Sequence, residues 1–223
     1  MIKTPVVVIN FKTYQQATGK NAVKLAQICE RIANITKKSI VVAVQESDIF
    51  RVSQAVSIPV FAQHIDPITA GAHTGHTLPE TIKESGAHGT LINHSEDRME
   101  LKQIKEAITR AKQVGLLTIV CASTPEIATK VADFEPDMIA IEPPELIGGE
   151  TSVSTAKPEI ISETIDKVHK IKKIPVICGA GIKDKNDVII ALKLGAVGVL
   201  PSSHVVKAKN PEAILKELVQ GLG

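Results

Sequence analysis

The chain has 223 residues, with 26 Lys and Arg against 24 Asp and Glu, and is 43% hydrophobic but only 2% aromatic. That length supports a full-sized core, while the interspersed, nearly balanced charge gives little support to a nucleic-acid or membrane role. Scarce aromatics leave no stacking platform for bases and require a core of Val, Ile, Leu and Ala, as in parallel strands buried on both faces.

From the N-terminus, MIKTPVVVINFK lacks the long apolar region and cleavage site of a secretory signal. A first strand is predicted over 5–10 (PVVVIN), followed by a helix with Ala22, Leu25, Ala26, Cys29, Ile32 and Ala33 on one face. Strands 40–44 (IVVAV) and 59–62 (PVFA) flank a short helical segment at 46–56. A second short segment, 78–85, leads to strand 89–93 (GTLIN). Ile104, Ala107, Ile108, Ala111 and Val114 then mark a helix before strand 116–121 (LLTIVC). Segment 124–132 precedes strand 137–142 (DMIAIE), and strands 174–178 (IPVIC) and 197–200 (VGVL) follow. Val188, Ala191, Leu192 and Gly195 lie between those last two, and Ala213, Ile214, Leu218 and Val219 close the chain.

Near-continuous apolar runs of this kind point to strands buried on both faces, and their alternation with helices to parallel βαβ units. Eight units in 223 residues allow about 28 residues each, close to minimal for a closed (β/α)8 barrel, where roughly 250 residues are typical. Periodicity alone leaves a doubly wound open sheet as the alternative. No linker or composition shift marks a second domain, so one domain over 1–223 is expected. Cys29, Cys121 and Cys178 are odd in number and form no CxxC pair, which fits a reducing cytoplasm. No run approaches the roughly 18 apolar residues of a membrane span. A soluble, cytoplasmic protein is expected.

In either architecture ligands bind beyond the carboxyl ends of the strands. Asn10 and Lys12 stand after the first strand, His94 and Ser95 (in NHSE) after the fourth, and Glu142 after the sixth. Alone, Asn10 suits a turn, Lys12 a solvated surface, His94 a structural role and Glu142 a loop. Together they place an amide, a cation, an imidazole and a base at one mouth if the barrel closes. Ser95 is read as the N-cap of the next helix, whose positive end would disfavour a charged His94. Two small-residue turns supply N–H groups suited to phosphate: CGAGI, with Gly179 and Gly181 ahead of a helix starting near Asp184, and LPSSH, with Ser202 and Ser203. HTGH (73–76) offers only two histidines and no completed ligand set, so it reads as a polar loop.

The ordered motifs NFK, GAHTGH (71–76), NHSE (93–96), EPPELIGG (142–149) and CGAGI (178–182) resemble triosephosphate isomerase, in its short archaeal type. The resemblance runs from VINFKTY (8–14) to VVKAKNPE (205–212). It implies a TIM barrel that interconverts dihydroxyacetone phosphate and glyceraldehyde 3-phosphate without metal or organic cofactor. By the same resemblance Glu142 is the base, His94 the electrophile and Lys12 the cation at the substrate oxygens, with Asn10 hydrogen-bonding in the site. Ser95 would hold Glu142 at rest, Glu96 matches the acid after the HS pair, and Thr74 would reach into a neighbouring subunit. Ile147, Gly148, Gly179, Gly181, Ser202 and Ser203 would close on phosphate. Pro143 and Pro144 would stiffen the hinge of the lid, which includes Glu145. A homo-oligomer is implied, with a tetramer favoured over a dimer.

Two segments depart from the family pattern. The lid reads IGGE where IGTG is more usual, leaving Glu150 without a functional account. The last phosphate turn reads LPSSH, so Pro201 lacks a donor and His204 replaces a small residue. Other phosphate-binding barrels would need a metal site or a different strand-end set. A non-catalytic metabolite sensor would not need Lys12, His94 and Glu142 together.

Overall fold

The computed structural model describes residues 2–143 and 158–223. Eight strands pair in parallel: β1 (Val6–Asn10), β2 (Ser39–Val44), β3 (Val60–Ala62), β4 (Gly89–Ile92), β5 (Leu117–Ala122), β6 (Met138–Ile141), β7 (Val176–Cys178) and β8 (Gly198–Val199). They neighbour one another in chain order, and β8 pairs back onto β1 through Val6↔Gly198 and Val7↔Val199. That pairing closes the barrel and sets aside the open-sheet alternative. Seven strands lie within one residue of their predicted runs at each end, and β7 starts two residues later than predicted.

Strand residues alternate between two apolar environments, which explains the absence of a polar face in the sequence. Val6, Val8, Val41, Ala43, Phe61, Leu91, Ile119, Cys121, Met138, Ala140, Ile177 and Leu200 form a buried cluster of their own inside the barrel. The intervening residues, including Val7, Ile9, Val42, Val44, Val120, Ile139 and Ile141, pack outward against the helices. Phe61 is one of four phenylalanines in the chain, so aliphatic and small side chains do most of the filling.

The helices are α1 (Lys20–Thr36), α2 (Ile49–Ser53), α3 (Pro79–Glu84), α4 (Leu101–Val114) and α5 (Pro125–Ala132), then α6 (Glu159–Ile171), α7 (Lys185–Lys193), α8 (Ser203–Val206) and α9 (Pro211–Gln220). Their ends carry local signals. Glu100 and Gln103 form a capping box at α4, which stops at Gly115 with φ 73°. Thr124 and Asn210 cap α5 and α9, each ahead of a proline in the first turn. Asp184 caps α7, accepting from Asn186 and Asp187.

Helix α6 buries Ile161, Thr164, Ile165 and Val168, although the segment reading assigns no helix there. One predicted face is corrected at α9, where Ala213 is exposed and Leu215 joins Leu218 and Val219 in the core. At about 100° per residue, position 213 points nearly opposite 215. Among the described residues no helix is long and apolar enough to cross a membrane.

Candidate active site

The inward register that fills the barrel also builds its mouth. Two residues beyond Val8 comes Asn10, two beyond Ala140 comes Glu142, and two beyond Ile177 comes Gly179, all continuing the inward-facing set. Asn10 and Glu142 are buried, at 3% and 2% exposure, and His94 is 9% exposed. Polar groups so enclosed need partners or a purpose.

Lys12 enters with a left-handed backbone, φ 48°, uncommon for a residue with a side chain. Two groups hold it there. The Lys12 N–H donates to Asn10 Oδ1 at 2.9 Å, and Gln63 Nε2 donates to the Lys12 carbonyl at 2.9 Å and the Ala43 carbonyl at 3.2 Å. The side chain then extends to Glu96, with Nζ 2.6 Å from Oε1. Backbone strain that neighbours over-determine in this way belongs to functional sites.

The turn after β4 is likewise shaped by a left-handed residue, Asn93, with φ 60°. Asparagine tolerates this conformation, and its side chain locks it, donating to the Cys121 carbonyl at 2.8 Å and accepting from Met99 N at 2.9 Å. His94 follows, and its Nδ1 accepts the Glu96 N–H at 3.2 Å. A neutral ring whose Nδ1 accepts carries its proton on Nε2. That Nε2 lies 3.5 Å from Glu142 Oε1. Burial first, and the Lys12 charge second, push His94 down from 6.5 to about 4, against Glu96 and Asp97. The ring is therefore neutral at physiological pH.

The sequence predicts that neutrality from a helix starting at Ser95. In the structure Ser95 opens a turn, closed by Asp97 N–H on the His94 carbonyl at 2.9 Å, and α4 begins only at Leu101. Desolvation and Lys12 replace the expected helix dipole. The Ser95 hydroxyl, expected to hold Glu142, has no hydrogen-bond partner among the described residues. The Ser95 main chain is the part that favours the carboxylate.

Glu142 is pushed up from 4.5 to about 7, chiefly by burial. The Cys121 thiol, Lys12 and the Ser95 main chain favour the ionised form without offsetting that burial, and Oε2 is buried with no hydrogen-bond partner among the described residues. Space for the side chain comes from Gly179: a Cβ there would meet Glu142 Cγ at 2.5 Å. The Gly179 N–H is engaged by the Ile141 carbonyl at 2.8 Å. This revises its expected part in phosphate binding, because the glycine seats the carboxylate and its donor is already taken.

The remaining assignments divide. Gly181 has φ 69°, a turn conformation that glycine adopts freely, ahead of α7. Ser202 Oγ is buried with no partner among the described residues, and Ser203 opens α8. The Pro201 carbonyl accepts Asn10 N–H at 3.0 Å, while His204 is exposed. Thr74 lies on an exposed stretch, 69–76. His73 and His76 pack edge to face there, and no group of three potential metal ligands occurs among the described residues. Ile147, Gly148, Glu145 and Glu150 lie outside the described residues, as does Pro144. Gln63 and Asn93, which shape Lys12 and His94, were not picked out by sequence reading.

A weakly acidic carboxyl, a neutral N–H and an ammonium meeting at the carboxyl ends of parallel strands define a (β/α)8-barrel enzyme of the acid–base kind. The triosephosphate isomerase family model matches residues 5–219. The chain is 49% identical over 218 residues to triosephosphate isomerase of Methanobacterium bryantii, covering 97% of this chain and 96% of that one. It is 46% identical over 222 residues to that of Methanobrevibacter smithii, covering 99% and 100%, and 41% identical over 220 residues to that of Metallosphaera sedula, covering 99% and 96%. The crystal structure of triosephosphate isomerase from Bartonella henselae shares the fold at TM-score 0.77 and 17% identity, covering 97% of this chain and 98% of that one. The chain belongs to the triosephosphate isomerase family.

The raised Glu142 has a consequence for stability. Unfolded, the carboxyl titrates near 4.5, and folded near 7. Between those values the native chain keeps a proton that the unfolded chain has lost, so stability falls as pH rises through this window. The rise from 4.5 to about 7 corresponds to about 3 kcal/mol against the ionised form. In urea melts, Glu142→Gln will therefore gain on the wild type by up to about 3 kcal/mol between pH 4.5 and about 8. A difference that stays constant across this range would contradict the buried, high-titrating carboxyl.

Proposed function

We propose that Glu142, His94 and Lys12 carry out the interconversion of dihydroxyacetone phosphate and D-glyceraldehyde 3-phosphate in this protein. The meeting of a buried carboxylate with a neutral imidazole and an ammonium at one barrel mouth supports the reading best. Deprotonated Glu142 takes a proton from the carbon beside the carbonyl, and the C–H electron pair becomes the double bond of an enediolate. Negative charge moves to the carbonyl oxygen, where Lys12 Nζ supplies positive charge and His94 Nε2–H a hydrogen bond. His94 passes a proton between the two oxygens, and Glu142 returns its own to the neighbouring carbon. Nothing is gained or lost overall.

The environment suits each role. A carboxyl near 7 is ionised in about half the molecules at neutral pH and is basic enough for proton abstraction. A neutral imidazole is a weak acid, closer in strength to the hydroxyl of an enediol than an imidazolium is, so a proton can pass either way between them. Asn10 and Gln63 set the Lys12 backbone and Glu96 steadies its ammonium before substrate arrives. The buried Ser202 Oγ, which has no partner among the described residues, the turn at Gly181 and Ser203 would receive the phosphate, with Ile147 and Gly148 completing the grip. Exclusion of water around the enediolate would suppress loss of its phosphate.

The same reading extends to the whole molecule. One barrel domain spans the chain and acts in the cytoplasm, in glycolysis and gluconeogenesis. The protein assembles as a homotetramer in preference to a dimer, with Thr74 on the exposed 69–76 stretch entering a neighbouring subunit.

In a coupled assay with glyceraldehyde 3-phosphate, Glu142→Gln will lose about 10³-fold in turnover, as expected for removal of a general base. Near-native rates in this variant would show that another residue abstracts the proton. Multi-angle light scattering of the wild type will give the mass of four chains, and Thr74→Arg will lower it. A monomeric wild type would sink the assembly proposal.

A further inference from the structure

His64 follows Gln63 directly, in the loop leaving β3, and faces two carboxylates. Its Nε2 lies 3.3 Å from Asp66 Oδ1 and its Nδ1 lies 3.2 Å from Asp97 Oδ2. The ring is only 23% exposed, whereas the Asp97 side chain is 68% exposed. A surface carboxylate with that freedom is held to one place by the ring.

Each end of this bridge is tied to something rigid. On one side the Asp66 N–H donates to the Thr77 carbonyl at 3.0 Å, and Thr77 N–H donates to Asp66 Oδ2 at 2.6 Å. That pair closes the base of the exposed 69–76 stretch. Despite partial burial, Thr77 N–H, His64 and His76 together hold the Asp66 carboxyl below its ordinary range. On the other side Asp97 N–H donates to the His94 carbonyl, and Glu96 N–H to His94 Nδ1. Glu96 Oε1 in turn meets Lys12 Nζ. The turn that orients the imidazole and steadies the ammonium thus has Asp97 as its outer handle.

We propose that His64 is a positioning residue, fastening the turn that carries His94 and Glu96 to the loop after β3 by standing between Asp97 and Asp66. Gln63 and His64 then divide the work within one dipeptide. The first sets the Lys12 main chain and the second sets the turn that receives the Lys12 side chain. With two N–H groups the ring serves both carboxylates at once, and with one it serves a single carboxylate. Asp66 belongs to the same loop and Asp97 to the turn after β4, His76 acts on Asp66, and Glu96 of that turn pairs with Lys12.

This inference rests on the proposed roles of His94 and Lys12. Releasing Asp97 would let the turn drift by a fraction of an ångström, which affects the chemical step more than binding. Asp97→Ala will lower kcat about tenfold, with KM changed less than about threefold, because small misplacements of reacting groups act on turnover. Its side chain is mostly exposed, so the variant retains its fold, which a thermal melt would verify. His64→Ala will show the same loss of kcat. The double variant will lie within about twofold of either single one, as expected for two residues acting through one contact. Wild-type turnover in Asp97→Ala, or a double variant that loses the product of the two single effects, would overturn the bridge. If Glu142→Gln is inactive while Asp97→Ala is not, only this inference fails and the proposed catalytic roles remain.

Discussion

A carboxyl group inside the barrel mouth, with little to solvate it, is the constraint around which the site is arranged. The surroundings of Glu142, burial foremost, oppose ionisation by a net of about 3 kcal/mol, a sizeable part of the 5–15 kcal/mol that typically holds a domain folded. The fold carries this cost because strands on both sides leave the carboxyl nowhere else to go. Its N–H is fixed by the Ala122 carbonyl at 2.8 Å, and Gly179, bound to the Ile141 carbonyl, leaves a space that only an absent side chain could provide. The same burial that destabilises the carboxylate raises its basicity. One physical cause thus serves the chemistry and taxes the fold.

Around that carboxyl, the positive and neutral partners are held by backbone strain and not by flexible side chains alone. Lys12 and Asn93 both have left-handed backbones at strand ends. Each is clamped by amide side chains: Lys12 by Asn10 and Gln63, Asn93 by its own contacts to Cys121 and Met99. Long side chains left free would lose entropy at each encounter with substrate. Fixing their roots in the barrel means that this ordering is done during folding. The electrostatics follow from the placement, since Lys12 lowers the basicity of His94 while favouring the ionised form of Glu142.

Much of the barrel was legible because two-sided burial writes itself as continuous apolar runs, and all eight strands fall on such runs. Polar residues at the ends of those runs stand out for the same reason, which is why Asn10, Lys12, His94 and Glu142 could be named. Less visible were effects that depend on which atom of a residue is used. A glycine at 179 reads alike whether it frees an N–H or removes a Cβ, and the structure shows the second. Ser95 followed by two acids reads as a helix start, yet the true start lies at Leu101 behind the Glu100–Gln103 capping box. Gln63 meets Lys12 across 51 positions of sequence. No local pattern encodes that contact, because closure of the barrel creates it. Helix α6, by contrast, carries ordinary three- and four-residue spacing in Ile161, Thr164, Ile165 and Val168 and was readable in principle.

One carboxyl, that of Glu142, stays protonated well above the usual range. Difference infrared spectroscopy between the wild type and Glu142→Gln, followed against pH, isolates its C=O stretch from the other acids. That band should persist in mildly acidic solution and disappear with a midpoint of about 7. A midpoint near the ordinary 4.5 would contradict the account, because Glu142 would then be solvated and its burial would have no bearing on its basicity.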